Sequence, residues 1–179
     1  MTSTELAMRW SDLDTLKHVN NVVYVDYAME AWPELRNGGL IPEADPRHVR
    51  VDYRFPILKS EELLHIDNAV EGSTLQQSIY VSGAEQPAAI VSSDFDPVDI
   101  AAQFEPALAS NPLMLRYSDL DHHWRINMGR MFELFQEARV LFINQVMSKA
   151  NIPAIVIARA DVHIIKPLEW QLDPLMTQT

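Results

Sequence analysis

Between His48 and Phe55 the chain alternates strictly, with Val49, Val51, Tyr53 and Phe55 on one side and Arg50, Asp52 and Arg54 on the other. A period of two marks a strand with one buried face. Pro56 should end it, since proline has no N–H to give a ladder. ELLHIDNAV (62–70), LQQSIYVSG (75–83) and AAIVSSDF (88–95) read as three more strands at hairpin spacing. Ahead of them, VVYVDYAMEAW (22–32) reads as a helix capped near Asn20 and ending before Gly38 and Gly39, with Pro33 either kinking or splitting it. A second helix, MFELFQEARVLFINQVMSKA (131–150), is apolar nearly all round, which predicts burial on most sides with a sheet wrapped about it.

The two helices sit in a repeat. With Arg9 set on Arg116, an offset of 107, the residues Arg9, Ser11, Asp12, Leu13, Asp14, Asn20, Glu30 and Ala31 recur in the second copy. These are eight identities in 25 ungapped positions, where chance gives about one or two. Each copy opens on a short strand, LAMRW (6–10) or LMLRY (113–117), followed by DLD and then a helix from Asn20 or Asn127. Further on, ARADVHIIKPLEW matches VRVDYRFPILKSE if Pro56 is set on Pro167, an offset of 111; Thr179 then corresponds to Asn68 and the last two strands have no counterpart. The expected division is a first unit over 1–96, a linker over 97–111 with one helical turn, and an incomplete second unit over 112–179. A fragment, a longer chain, or a partner chain completing the sheet all fit that pattern. An antiparallel sheet curled around one long helix is the economical packing, an α+β architecture.

Net charge is −11, from 25 acidic and 14 basic residues. A field of that sign repels phosphate backbones and anionic bilayers, so neither nucleic acid nor a membrane is an expected partner. No apolar run approaches the ~18 residues of a membrane span, and MTSTELAMRW lacks the pattern of a secretory signal; a cytoplasmic location is expected. With no cysteine, disulfides, thiolate metal sites and a cysteine nucleophile are excluded. The six histidines show neither HxH nor HExxH spacing, so no metal site is expected. Phosphate-binding loops, dinucleotide fingerprints and the nucleophile elbow are also missing.

RWSDLDTLKHVNNVVYVDYAMEAW resembles the signature of hot-dog-fold acyl-CoA thioesterases related to 4-hydroxybenzoyl-CoA thioesterase. That pattern is a strand ending in R-[WY]-x-D-x-D, three residues, HVNN, then an aromatic-rich helix. The two copies are similar to tandem double-hot-dog thioesterases, in which one chain mimics the usual homodimer. The resemblance implies a sheet wrapped around a long central helix and hydrolysis of an acyl-CoA thioester. Coenzyme A would enter only as part of the substrate, with no other cofactor. A homo-oligomer of double units is the expected assembly.

On residue chemistry alone, Asp12 and Asp14 suit turn and cap positions. The resemblance implies that Asp14 attacks the carbonyl or activates water. His18, Asn20 and Asn21 would position the thioester or water at the N-terminus of a buried helix, whose free N–H groups suit a developing oxyanion. Tyr24, Arg54 and Lys59 are substrate-contact candidates, with Arg50 a further basic residue for the phosphates. Glu30 and Asp121 are secondary catalytic candidates, although Glu30 better suits an ion pair. In the second copy HVNN becomes Arg125-Ile126-Asn127-Met128 and Tyr24 becomes Met131. An Asp121–Arg125 ion pair is expected there, a poor general base, so one competent site is expected, at Asp14. Acyl-carrier-protein thioesterases rank second, because the plant type carries a cysteine and the acidic charge disfavours an acidic carrier. Hot-dog hydratases and a non-catalytic acyl-binding module are the other readings.

Overall fold

The alternating runs form strands. The computed structural model describes residues 2–58, 63–97, 110–147 and 157–178. Two units emerge, Met1–Asp99 with Ile157–Ile165, and Ile100–Val156 with Lys166–Thr179.

In the first unit, β1 (Thr2–Leu6), β2 (His48–Tyr53), β3 (Leu64–Glu71), β4 (Thr74–Val81), β5 (Ala89–Asp94) and β7 (Arg159–His163) make one sheet in the order β1-β3-β4-β5-β2-β7. Every neighbouring pair is antiparallel. The inward positions follow the period of two: Val49 and Val51, Leu64 and Ile66, Leu75 and Ile79, Ala89 and Val91 are all buried. Gly72 sits at φ 60 in the tight β3–β4 connection, a conformation that costs a residue with a Cβ.

α1 (Val23–Glu30) lies against β4 and β5, burying Tyr24, Val25, Tyr27 and Ala28. α2 (Trp32–Asn37) buries Trp32 and Leu35. Pro33 stands in the first turn of α2, so it splits the helix at Ala31: a ring without an N–H is tolerated at a helix start and not in its interior. The expected single long helix is therefore two short ones here. Gln77, fully buried, accepts from Trp32 Nε1 at 3.0 Å and donates to the Ala28 carbonyl at 2.9 Å and Asn68 Oδ1 at 2.8 Å, tying both helices to the sheet.

In the second unit, β6 (Ser110–Leu113) pairs with β8 (Leu175–Gln178), beside α3 (Met128–Met147). The repeat is visible in register. Leu6 pairs with Leu64 in the first copy, and Leu113 with Leu175 in the second. β7 is the counterpart of β2 at the same offset of 111, and the two strands pair antiparallel with Arg50 opposite Asp161, equivalent positions facing each other.

Several expectations need correction. LAMRW is not a strand: β1 lies upstream at Thr2–Leu6, and Trp10–Asp12 form a 3-10 turn. Phe55 is exposed, because pairing stops at Tyr53 and the alternation ends with it. α3 is not buried on most sides; Met131, Phe132 and Ala138 are buried, but Phe135 and Val140 are exposed, since a two-stranded sheet cannot surround a helix. The sequence assigns β7 to the second unit, yet it completes the sheet of the first. Ser110 and Asn111, read as linker, belong to β6; the remaining linker, with its helical turn, lies mostly outside the described residues.

Candidate active site

The DLD segment folds as a small closed loop. Leu13 bridges Val19, and the Asn20 N–H meets the Asp12 carbonyl at 2.8 Å, so residues 12 to 20 run out and back. The return arm is joined by the segment after β2: the Val19 N–H donates to the Ile57 carbonyl at 2.8 Å, and His18 bridges Leu58. Lys17 closes the tip at φ 64, a left-handed conformation that a side chain accepts only under constraint.

That constraint is Asp14. Its Oδ1 accepts the N–H of Leu16 at 2.8 Å and of His18 at 3.0 Å. Its own N–H meets the His18 carbonyl at 2.7 Å. Among the described residues Asp14 Oδ2 meets no donor, and the residue is half-buried. Asp14 and His18 thus stand on one rung at the loop tip. The rung that leads into α1, Asp12 with Asn20, is two residues back, about 7 Å along a strand. The loop therefore brings Asp14 to His18 but holds it off the helix start.

Asp12 is the carboxylate that touches the helix. It is buried, and its Oδ2 accepts the Arg9 N–H and the Tyr27 hydroxyl, both at 2.7 Å. Burial, together with the Asp12 hydrogen bond and its negative charge, pushes the Tyr27 phenol far above its ordinary 10.0. The Tyr27 donor and the bond from the Tyr53 hydroxyl to the Asn21 carbonyl at 2.8 Å are contacts that the motif does not announce. Tyrosines at helical spacing were the available signal.

The other candidates scatter. Asn20 Oδ1 accepts the Val22 N–H at 3.4 Å, and the Asn20 carbonyl takes the Val23 N–H, so a tight turn precedes the helix, which starts at Val23. Tyr24 is core rather than a substrate-facing group: its hydroxyl accepts the Ile57 N–H at 3.3 Å, its ring meets Tyr53 edge-on at 5.4 Å, and burial raises its pKa despite that hydrogen bond. Glu30 is exposed at the far end of α1, with no ion pair among the described residues. Arg54 is exposed beyond β2, Arg50 is turned onto Asp52, and Lys59 lies outside the described residues.

The second copy reproduces the loop. Asp121 Oδ1 accepts the N–H of His123 at 2.8 Å and of Arg125 at 3.0 Å, with Trp124 at φ 62. The expected Asp121–Arg125 ion pair is absent among the described residues; the link is to the Arg125 backbone, because the closed loop turns main chain toward the carboxylate. Asn127 caps α3 directly, through Gly129 N–H at 2.9 Å. Trp124, where the first copy has Lys17, packs on Tyr117 at 6.1 Å, and Tyr117 stacks on Trp170 at 5.2 Å.

One group of potential metal ligands does assemble, although sequence spacing predicts none: His48, Asp161 and His163. It lies on β2 and β7, outside the DLD loop.

The family model of the acyl-ACP thioesterase C-terminal domain matches residues 1–96. No curated protein matches the chain in sequence. The 12:0-ACP thioesterase of Umbellularia californica aligns with 94% of this chain and 83% of its own, at 8% identity and a TM-score of 0.64. An acyl-ACP thioesterase of Bacteroides thetaiotaomicron aligns over 94% and 82%, at 9% identity and the same TM-score. At that identity these likenesses speak for a shared fold, the antiparallel hot-dog type. The sequence ranks the carrier-protein thioesterases second, yet the family match falls among them. With more than half its length matched, the chain belongs to the acyl-ACP thioesterase C-terminal domain family, and so to the thioester hydrolases.

Proposed function

We propose that the chain hydrolyses an acyl thioester of phosphopantetheine at one site, on the DLD loop of the first copy. The observation that carries this is the Asp14 carboxylate: one oxygen is held by the backbone N–H groups of Leu16 and His18, and the other meets no donor among the described residues. A carboxylate fixed in this way can attack the thioester carbonyl or activate water without reorganising. His18 and Asn21 would orient the thioester at this loop. Asp121, with Arg125 and Trp124 in place of His18 and Lys17, serves as a loop clasp in this reading. The matched registers of the two copies support a tandem double-hot-dog arrangement.

An acyl-carrier-protein thioester is the first choice of substrate, on the family match. Acyl-CoA is the second reading, favoured by the net charge of −11, which opposes docking of an acidic carrier. In either case CoA or pantetheine enters with the substrate, and no separate cofactor is required. A cytoplasmic homo-oligomer remains the expected setting. The test is thiol release from matched acyl-ACP and acyl-CoA esters by the wild type and Asp14→Asn. Turnover reduced about 100-fold or more in the variant, with folding intact, supports the reading. No turnover of any ester by folded wild type would leave the non-catalytic acyl-binding module in its place.

A further inference from the structure

We infer that His48, Asp161 and His163 form a site for one borderline divalent transition ion, zinc above all, on the β2–β7 edge of the first unit's sheet. His48 and His163 are directly paired across the two strands, and Asp161, two residues before His163, points to the same face. His48 Nε2 lies 2.6 Å and His163 Nε2 3.3 Å from Asp161 Oδ1. The two imidazoles stack with centroids 4.2 Å apart and planes 4° apart. One ligand atom from each residue falls within 4.8 Å of the others.

Two nitrogens and one carboxylate oxygen suit zinc, whereas magnesium and calcium prefer all-oxygen sets. Zinc bonds of about 2.0–2.1 Å in a tetrahedron put ligand atoms about 3.3 Å apart. The His163–Asp161 pair is at that spacing already, the His48–Asp161 pair must open by about 0.7 Å, and the parallel imidazoles must tilt apart for both Nε2 lone pairs to meet one ion. The short His48–Asp161 contact is a hydrogen bond, so His48 must carry its proton on Nδ1 for Nε2 to be free as a ligand. All three side chains are partly exposed, which lets water complete the coordination.

The surrounding charges leave the carboxylate available. Arg50 and Arg159, the cations flanking it on these strands, both turn to Asp52, at 2.8 and 2.6 Å. Arg50 stands opposite Asp161 in the ladder, but the contacts of the Asp161 carboxylate among the described residues are to the two imidazoles. Because β2 and β7 are distant in sequence, an ion here would clip the edge strand to the sheet and stabilise the folded chain.

Binding is the readout, so the result is independent of the thioesterase reading. Zinc chloride is titrated into the full chain by calorimetry, and thermal unfolding is followed with and without it. One ion per chain is expected, with Tm raised on the order of 5–10 °C at zinc a hundredfold above Kd. His48→Ala and His163→Gln should each weaken binding by at least the roughly 10–100-fold seen on disturbing even outer-shell partners. His122→Ala/His123→Ala, which removes the adjacent surface histidines, should leave it unchanged. Cobalt substitution should give the absorption of a nitrogen- and oxygen-ligated ion in wild type and not in the two site variants, whose folding is checked by circular dichroism. No stoichiometric binding, binding retained in both site variants, or binding lost with His122 and His123 would overturn the assignment.

Discussion

Asp14 and Asp121, one in each copy of the repeat, make the same two hydrogen bonds. The Oδ1 of each accepts the N–H two residues on at 2.8 Å and four residues on at 3.0 Å. The shared geometry assigns the loop-closing role to both, so any difference in chemistry must come from their neighbours. Asparagine keeps the accepting oxygen and alanine removes it. Asp14→Asn and Asp121→Asn should therefore unfold in urea close to wild type, while Asp14→Ala should lose about 1–2 kcal/mol. Only the Asp14 variants should lose thioester turnover; equal loss in Asp121→Asn would put both loops in the reaction.

Tyr27 reports on the buried Asp12. Because its folded pKa lies above the ordinary 10.0, the folded chain holds a proton that the unfolded chain has released at high pH. Stability from this group is intact below pH 10 and falls above it, by about 1.4 kcal/mol per pH unit. Tyr27→Phe should flatten that alkaline limb. At neutral pH it should cost about 1–3 kcal/mol, because Asp12 loses one of two donors in a buried place. Urea unfolding at pH 7 and at pH 10 to 11 measures both effects, and an unchanged alkaline limb would refute the assignment.

Gln77 joins three partners inside the core. Gln77→Leu would leave the Trp32 N–H, the Ala28 carbonyl and Asn68 short of partners. The expected loss is about 3 kcal/mol or more, since each unsatisfied buried group costs roughly 1–3 kcal/mol. Gln77→Glu tests the polar requirement separately, by placing a charge at the same point. A Tm within 2 °C of wild type for Gln77→Leu, about the shift of 1 kcal/mol or less in a chain this long, would show that the network carries little.

Asp52 ties β7 to β2. Burial raises its pKa, but the hydrogen bonds and charges of Arg50 and Arg159 outweigh that and hold it below its ordinary 3.8. Its contribution is present above pH 3.8 and is lost as pH falls below it. Arg159 is more than half exposed, so the pair should be worth under about 1 kcal/mol. Hydrogen-exchange protection across Arg159–His163, corrected for the intrinsic pH dependence of exchange, should fall on acidification in wild type, and Asp52→Asn should remove that acid-dependent step.

The sequence made the strands legible because one face of each is buried and a period of two leaves its mark on residue choice. β2 to β5 fall where alternation and turn residues place them. The repeat was legible too, through the clasping aspartates that close the loop in both copies, although the tips they close, TLKHV and HHWRI, match at no position. The helix after HVNN was partly so: Pro33 marks a kink or a split, and the backbone decides for a split, at Ala31.

For the site, the sequence determined which residues cluster along the chain: Asp12, Asp14, His18, Asn20 and Asn21 share one loop. Tertiary structure decided what each touches. It gave Asp12 to Tyr27, sent Tyr24 into the core and left Asp14 Oδ2 without a donor among the described residues. The His48–Asp161–His163 group is invisible in sequence for the same reason that β7, which the repeat places in the second copy, is found in the first unit's sheet. Local spacing records which way a side chain faces on its own element, but it holds no record of which distant strand pairs with which. That choice is made by the sheet, where β2 needs a partner and its own repeat supplies one.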